Sequence, residues 1–276
     1  MKYIKDTFCY LFVRGKGLRF LVFFLIALLP SVMIAYGFSI GNAFSRLVAY
    51  QPYEKWSDVW MGAFHGGLGF ASIGIGLVCL FMTVALTMGA LIRHFRVGDF
   101  SVKQISSTIN DYVLPAAVHT FSVTVFSTFM YTVFTLFQYM WHSNLHEKAY
   151  VALSFITLFI LVAAFVYVSS ALTVWLPYMS VKGVLNVNAF TASFYMSRSK
   201  QKYFLPGHIL IALILLATAL ISHYASGVWY VKWIVDSVGY AVSIVFCVCY
   251  STIVYFGENR LPREDLNVSP YHRRYQ

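Results

Sequence analysis

Charged residues are sparse along this chain and divide it into six long uncharged runs. The runs lie between residues 19 and 46, 58 and 93, 111 and 147, 148 and 182, 202 and 232, and 236 and 258. A helix that crosses a bilayer needs roughly 20 apolar residues, so each run has room for one such helix but not for two. The pattern predicts six transmembrane helices, at Phe20–Ile40, Ala63–Ile92, Val113–Met140, Ala149–Tyr178, Phe204–Tyr224 and Trp233–Tyr255.

The runs lack the alternation of polarity that is typical of a transmembrane β-barrel. Residues 158–162, for example, are apolar at every position. We therefore predict an all-α, polytopic membrane protein in which residues 1–276 form a single membrane domain.

Composition supports the same class of protein. Hydrophobic residues make up 59 % of the chain and charged residues only 11 %, with a mean hydropathy of +0.70. A soluble domain carries about 25 % charged residues, so an ordinary soluble enzyme and a disordered chain are both excluded. We interpret the four cysteines as small packing residues rather than as a disulfide framework or a metal site.

The basic residues predict the orientation. If the N-terminus lies in the cytoplasm, all but four of the twenty lysines and arginines fall on the cytoplasmic side. The four exceptions are Arg46, Lys55, Lys148 and Lys232. This bias matches the positive-inside rule and predicts that both termini are cytoplasmic, with the plasma membrane of a bacterium (the cell inner membrane) as the favoured location.

The order of elements suggests three repeated units, at about 1–98, 99–182 and 183–257, followed by a short tail at 258–276. Each unit has an amphipathic segment and then two spans that form a hairpin. Tyr112-Val113-Leu114-Pro115 is echoed by Tyr203-Phe204-Leu205-Pro206, and a proline suits the first turn of a helix. Coincidence between similar interfacial sequences is the alternative to a true repeat.

The amphipathic segments combine basic residues with aromatic and aliphatic ones. Such segments bind the headgroup region of an anionic leaflet, here the inner one. Packing against a protein partner in or on the membrane is the alternative.

Ionisable residues within the spans are the default candidates for function in a membrane protein. Lys232 and Asp236 are four residues apart on the sixth predicted span and are expected to form a charge pair at its outer boundary. Asp111, His119 and His208 form a possible polar cluster near the inner face. A neutral, hydrogen-bonded structural histidine is the alternative for both imidazoles.

Two further sets of residues are weaker candidates. His142, His146 and Glu147 lie close together in sequence at the outer face, and two imidazoles four residues apart on a helix are able to share a metal ion. Gly67, Ala71 and Gly74 share a face of the second span and are expected to form a close helix contact, within the bundle or with another subunit.

The chain contains no phosphate-binding loop, nucleotide fingerprint or Ser-His-Asp arrangement. We predict no cofactor, no catalytic residues and no nucleic-acid partner.

Residues 176–183, which begin Leu176-Pro177-Tyr178, lead into a segment at 189–200 that ends in Ser197-Arg198-Ser199-Lys200. This stretch resembles poorly characterised bacterial multispan membrane families, including the membrane domain found beside some glycerophosphodiester phosphodiesterases. The resemblance implies a helical multispan protein of the bacterial plasma membrane. The catalytic domain of those phosphodiesterases is absent here, so the resemblance does not imply their activity.

Three functions are compatible with this sequence. The first is a non-enzymatic subunit or accessory factor that scaffolds or regulates a transport or envelope complex. The second is a small transporter or exporter of an apolar or lipid-like substrate, which paired helix breaks would favour. The third is an intramembrane lipid-modifying enzyme that uses the cluster of Asp111, His119 and His208.

Overall fold

A computed structural model describes residues 2–14, 17–48, 55–98, 109–183, 187–225 and 228–266. Nearly all of these residues are helical. The α-helices are α1 (Lys2–Phe8), α2 (Leu18–Gly37), α3 (Ile40–Val48), α4 (Trp56–Met61), α5 (Gly66–Val97), α6 (Ile109–Asn144), α7 (Glu147–Ala171), α8 (Trp175–Lys182), α9 (Val187–Tyr224) and α10 (Trp229–Glu258). A π-helical turn at Cys9–Val13 continues α1, and a 3-10 turn at Glu264–Leu266 follows α10.

Six segments are long and apolar enough to cross a membrane: Leu18–Gly37, Gly66–Val97, Asp111–Asn144, Glu147–Lys182, Asn188–Tyr224 and Trp229–Glu258. The prediction of six helices of this length and composition is confirmed. Five of them are longer than predicted, because the helices continue past the apolar stretch into polar sequence at their ends. The first is shorter at its C-terminal end, because α2 stops at Gly37 and a separate helix, α3, begins at Ile40.

The helices are buried very unequally. Helix α10 packs against α2 and α9, and α5 packs against α2 and α6. In the most apolar stretch of α10, 72 % of the residues are buried inside the protein. In that of the segment that contains α7, 11 % are buried. The core therefore forms around α10, α2 and α5, and the α6–α7 hairpin lies at the periphery.

Helices α2 and α5 approach each other closely along a stripe of small residues. A Cβ added to Gly37 would collide with the carbonyl oxygen of Gly69, and one added to Gly76 would lie 2.8 Å from Cγ1 of Ile34. Between these glycines, Ser72 Oγ donates a hydrogen bond of 2.7 Å to the carbonyl oxygen of Met33. The contact depends on side chains small enough for two backbones to meet.

The face of small residues predicted on this span does not form a helix contact within the bundle. Gly67, Ala71 and Gly74 are exposed, and a Cβ added at either glycine would meet nothing within 4 Å. The contact is rotated on the helix to Gly69, Ser72 and Gly76. Sequence alone does not separate the two faces, because α5 has small residues on both.

The two ends of the bundle differ in chemistry. One end, which we call the tryptophan-rich end, contains α3, α4 and the start of α10, with Trp56, Trp60, Trp229 and Trp233. The other, the basic end, contains α1 and the end of α10. Helix α1 and the C-terminal end of α10 therefore lie at the same end of the bundle, as an even number of spans requires.

The N-terminal segment packs against the bundle at the basic end. Tyr3, Thr7, Tyr10 and Leu11 are buried, while Phe8 and Phe12 on the other side of the segment are exposed. The Tyr3 hydroxyl donates to Glu258 Oε1 at 2.6 Å, and Lys200 forms an ion pair with the same carboxylate. Burial, together with the hydrogen bond to Glu258, raises the pKa of Tyr3 above its ordinary value.

The residues after α10 also fold back onto this end. Arg263 forms two hydrogen bonds with the buried carboxylate of Asp265, and its guanidinium lies over the ring of Phe95 at the end of α5. The Asp265 carboxylate also lies 3.8 Å from Arg14 of the N-terminal segment. The N-terminal segment and the residues after α10 are thus joined to each other and to α5.

Neither proline of the echoed tetrapeptides lies in a first helical turn, so that part of the prediction was wrong. Pro115 and Pro206 are inside α6 and α9. The α9 helix bends at Lys200, whose backbone angles are non-helical, and Pro206 lies in the second turn after this bend. The second amphipathic segment falls mainly on residues 99–108, outside the described residues, and the repeat stays a prediction.

Replacement of Gly76 by leucine should destabilise the protein. The added side chain would be forced against Ile34, and overpacking of this kind costs typically 1–3 kcal/mol. The stability of each variant is measured by unfolding the purified protein in detergent with increasing SDS. Gly74→Leu is the matched control on the exposed face, and equal loss of stability in the two variants would contradict the assigned contact.

Candidate functional site: a polar pocket at the tryptophan-rich end

The site begins with a break in the first span. Helix α2 ends at Gly37, Phe38 is extended, and Ser39 precedes α3. The Ser39 amide donates to the carbonyl oxygen of Ala63 at 3.0 Å, and the His65 amide donates to that of Gly37 at 3.1 Å. This short antiparallel bridge bonds backbone groups that the helix break would otherwise leave without partners.

A buried carboxylate from α10 lies at the break. Asp236 is completely buried, and its Oδ2 accepts a hydrogen bond of 2.7 Å from Ser39 Oγ. The same Ser39 oxygen accepts from the backbone amide of Asn42 at 3.2 Å, so Ser39 is the N-cap of α3. The N-terminus of a helix carries partial positive charge, which favours an anion at this position.

Two more groups face the Asp236 carboxylate. They are the backbone amide of Gly41 and the hydroxyl of Ser222 on α9, and both stabilise the charged carboxylate. The second carboxylate oxygen, Oδ1, is buried and has no hydrogen-bond partner. Asp236 is therefore fixed through one oxygen and has unused acceptor capacity on the other.

Beside the carboxylate, a chain of hydrogen bonds connects a lysine to a histidine. Lys232 Nζ donates to Asn42 Oδ1 at 2.9 Å, and Asn42 Nδ2 lies 3.4 Å from His65 Nε2. His65 Nδ1 lies 2.6 Å from the carbonyl oxygen of Tyr36, which only accepts. Nδ1 therefore carries the proton, and Nε2 accepts from Asn42.

These groups line a pocket of about 430 Å³. The lining residues are Ala35, Tyr36, Ser39, Asn42, His65, Trp229, Lys232, Trp233 and Asp236. Trp233 is fixed by a hydrogen bond of 3.0 Å from its indole nitrogen to the carbonyl oxygen of Val32, whereas Trp229 is 71 % exposed. The pocket thus combines one carboxylate and one ammonium group with aromatic walls, a composition that suits a small ligand with polar groups.

Lys232 and Asp236, the predicted charge pair, interact through their charges but do not form a direct ion pair. Both side chains line the pocket, but Lys232 binds Asn42 while Asp236 binds Ser39. In the described part of the chain, the ion pairs within 4 Å do not include these two residues. The spacing placed them on one helix face correctly, but it did not reveal that α3 supplies a separate partner for each.

Sequence reasoning missed Ser39, Asn42 and His65. The signal that could have found the first two is Gly37 followed by Ser39, because a helix-ending glycine followed by a capping serine marks a helix break. His65 carried no such signal, since only the fold brings it beside Tyr36 and Asn42.

A second polar cluster lies near the basic end, and it includes two of the predicted residues. The Thr173 hydroxyl donates to the carbonyl oxygen of Ser170 at 2.8 Å and lies 2.8 Å from His208 Nε2. Since the hydroxyl has a single hydrogen, His208 must donate from Nε2 to the Thr173 oxygen. His119 is close enough to His208 to interact with it electrostatically, and its ring packs edge-on against Trp175.

The structure brings His119 and His208 together but places Asp111 elsewhere. Asp111 is exposed and lies eight residues before His119 on α6, about 12 Å along the helix axis. The acidic member of the predicted cluster was therefore wrong. The partners found instead are Thr173, which lies in the gap between α7 and α8, and Trp175, which begins α8.

This gap interrupts the fourth span at Leu172–Val174. The 25 residues of α7 extend about 37 Å, which already exceeds the roughly 30 Å hydrocarbon core. The break therefore lies near the membrane boundary at the basic end. The prediction of a continuous span to Tyr178 was wrong in this respect.

The predicted metal ligands are not brought together. His142 lies in α6, which ends at Asn144, His146 precedes α7, and Glu147 begins it. Within the described residues, no group of three or more His, Cys, Asp or Glu side chains is arranged to hold a metal ion. A helix end separates the two histidines, so the spacing expected on a single helix does not apply.

Comparison with protein-family models, with curated proteins and with solved structures finds no significant match to this chain.

Replacement of Ser39 by alanine should reduce stability by about 1–3 kcal/mol, because α3 loses its N-cap and Asp236 loses its only donor at Oδ2. Ser39→Thr keeps the hydroxyl and should retain most of the stability. SDS-induced unfolding measures the difference. Ser143→Ala, which removes an exposed hydroxyl bonded within α6, is the control, and an equal effect there would argue against the role of Ser39.

Replacement of Thr173 by valine should likewise destabilise the protein, by about 1–3 kcal/mol, because the buried His208 Nε2–H then lacks an acceptor. Thr173→Ser preserves the acceptor and should be close to wild type. If valine and serine behave alike in the same unfolding titration, the hydrogen bond does not hold the α7–α8 break.

Proposed function

We propose that this protein is a membrane-embedded binding protein or small transporter that takes up a ligand at the polar pocket of the tryptophan-rich end. The observation that carries the proposal is Asp236, a completely buried acid that lines that pocket and whose Oδ1 makes no hydrogen bond of good geometry. Ionisable residues inside a membrane protein are costly and usually functional. Helix breaks whose half-helix N-terminus faces a polar site are typical of transporter binding sites.

The proposed location is the bacterial plasma membrane, with both termini in the cytoplasm. The excess of basic residues at the end that holds both chain ends supports this orientation. In this arrangement the pocket opens on the outer side, and the exposed Phe8 and Phe12 of the N-terminal segment face the inner leaflet.

A second candidate function is a non-enzymatic subunit of a transport or envelope complex. The α6–α7 hairpin favours this candidate. In the most apolar stretches of its two segments, only 17 % and 11 % of the residues are buried. Large side chains such as Phe121 and Phe159 are exposed on its surface. A membrane-embedded protein partner would bind this surface. Recovery of one partner protein in fixed ratio, cross-linked through α6 or α7, would support this candidate.

Filling the pocket should abolish ligand binding. Ala35 lines the pocket and is almost fully buried, so Ala35→Phe places a ring in the space that the ligand would use. The wild-type protein and the variant are purified gently from the native membrane, and the small molecules and lipids that remain bound are identified by mass spectrometry.

We expect a bound compound in the wild type that the Ala35→Phe variant lacks. Ala71→Phe, on the exposed face of α5, is the matched control and should keep the compound. A wild-type protein with no compound beyond bulk lipid, or a compound that survives Ala35→Phe, would contradict the proposal.

A further inference from the structure

We infer that the ligand of this pocket is a zwitterion that carries a primary ammonium group and an acidic group, as in an ethanolamine phosphate headgroup. The inference rests on the proposed function and specifies its ligand. It follows from three properties of the pocket, namely its charges, its hydrogen-bonding capacity and its position.

The charges favour a ligand with both signs. Asp236 and Lys232 line the same pocket and lie one helical turn apart on α10. A purely cationic ligand would meet the ammonium of Lys232, and a purely anionic one would meet the Asp236 carboxylate. A ligand that carries both an ammonium and an acidic group is able to pair with both side chains.

Hydrogen bonding favours a primary ammonium over a quaternary one. Asp236 Oδ1 is buried and lacks a donor, and a buried acceptor without a partner is unfavourable. A primary ammonium supplies three N–H donors, whereas a trimethylammonium supplies none. The pocket also has aromatic surface, from Tyr36, Trp229 and Trp233, which attracts both primary and quaternary ammonium groups. The preference for a primary ammonium therefore comes from the Asp236 Oδ1 acceptor.

The acidic group of the ligand is assigned to Lys232. Its ammonium donates one hydrogen bond to Asn42 Oδ1, which leaves two N–H groups for the ligand. Asn42 is in turn bonded to His65, so the lysine is held in place before the ligand arrives.

The position of the pocket fits a lipid headgroup. Trp229 and Tyr36 are exposed at its rim, and exposed tryptophan and tyrosine side chains settle at the level of the headgroups. A phospholipid with an ethanolamine headgroup and a water-soluble zwitterion such as phosphoethanolamine present the same chemistry, and the experiment must separate these two sources.

The test measures binding to the full-length protein in detergent from the rise in unfolding temperature with ligand concentration. The probes are short-chain phosphatidylethanolamine, short-chain phosphatidylcholine with the same acyl chains, and phosphoethanolamine. Wild-type protein should bind the ethanolamine lipid on the order of tenfold more tightly than the choline lipid. Binding of phosphoethanolamine as tight as that of the lipid would identify a soluble zwitterion as the source, and much weaker binding would identify a lipid.

Two variants test which side chain binds each charged group of the ligand. Asp236→Asn keeps the shape and an oxygen for Ser39, but it removes the charge, and it should abolish the preference for ethanolamine over choline. Lys232→Gln should weaken binding of both lipids by about tenfold. Glu147→Gln, an exposed acid at the same end, should leave all affinities unchanged.

Equal affinity of the wild-type protein for the two lipids would overturn the inference, as would a preference that persists in Asp236→Asn. If Asp236→Asn does not fold, Lys232→Gln decides, since undiminished lipid binding by that variant would equally overturn it. A different compound that is lost in Ala35→Phe would refute this ligand and leave the binding function intact, whereas no compound at all would refute both.

Discussion

A helix that breaks inside a membrane protein must find new partners for the backbone groups that it exposes, because lipid offers none. Two helix breaks stand out here, one at Phe38–Ser39, just after the first span, and one at Leu172–Val174, within the fourth. At each interruption a side chain from another helix is bound, Asp236 of α10 at the first and His208 of α9 at the second. A buried polar side chain therefore meets each break, and the position of the break determines which polar groups come together there.

The two interruptions differ in their freedom to bind something else. Around Asp236, a pocket adjoins the break, and one carboxylate oxygen stays without a partner. Around His208, the Thr173 hydroxyl is the partner and the rings of Trp175 and His119 pack together, although His119 Nδ1 and Trp175 Nε1 are buried without a hydrogen-bond partner. The first arrangement is suited to recognition, and the second to holding α8 against α7 and α9.

Much of the fold followed from the sequence, because six charge-free runs of sufficient length admit few other structures. It was harder to predict which small residues of α5 form the helix contact. Gly67 and Gly74 are as small as Gly69 and Gly76, and only the position of α2 distinguishes the two pairs. The site was harder still. The spacing of Lys232 and Asp236 identified the correct helix face, but Asn42 and His65 come from segments whose proximity depends on the bridge between Phe38 and Phe64. Contacts of this kind join residues far apart in sequence and have no local pattern.

The burial of α10 has a consequence for how the protein is made. Synthesis proceeds from the N-terminus, so α10, the most buried of the six described spans, reaches the membrane after the other five. Until it arrives, the faces of α2 and α9 that it covers are open to lipid, and Ser39 has no carboxylate to bind. Its apolar stretch is also less hydrophobic than those of four of the other five described spans. Insertion of α10 and closure of the bundle are thus one event, which joins the N-terminal segment to the end of α10 through Tyr3 and Glu258.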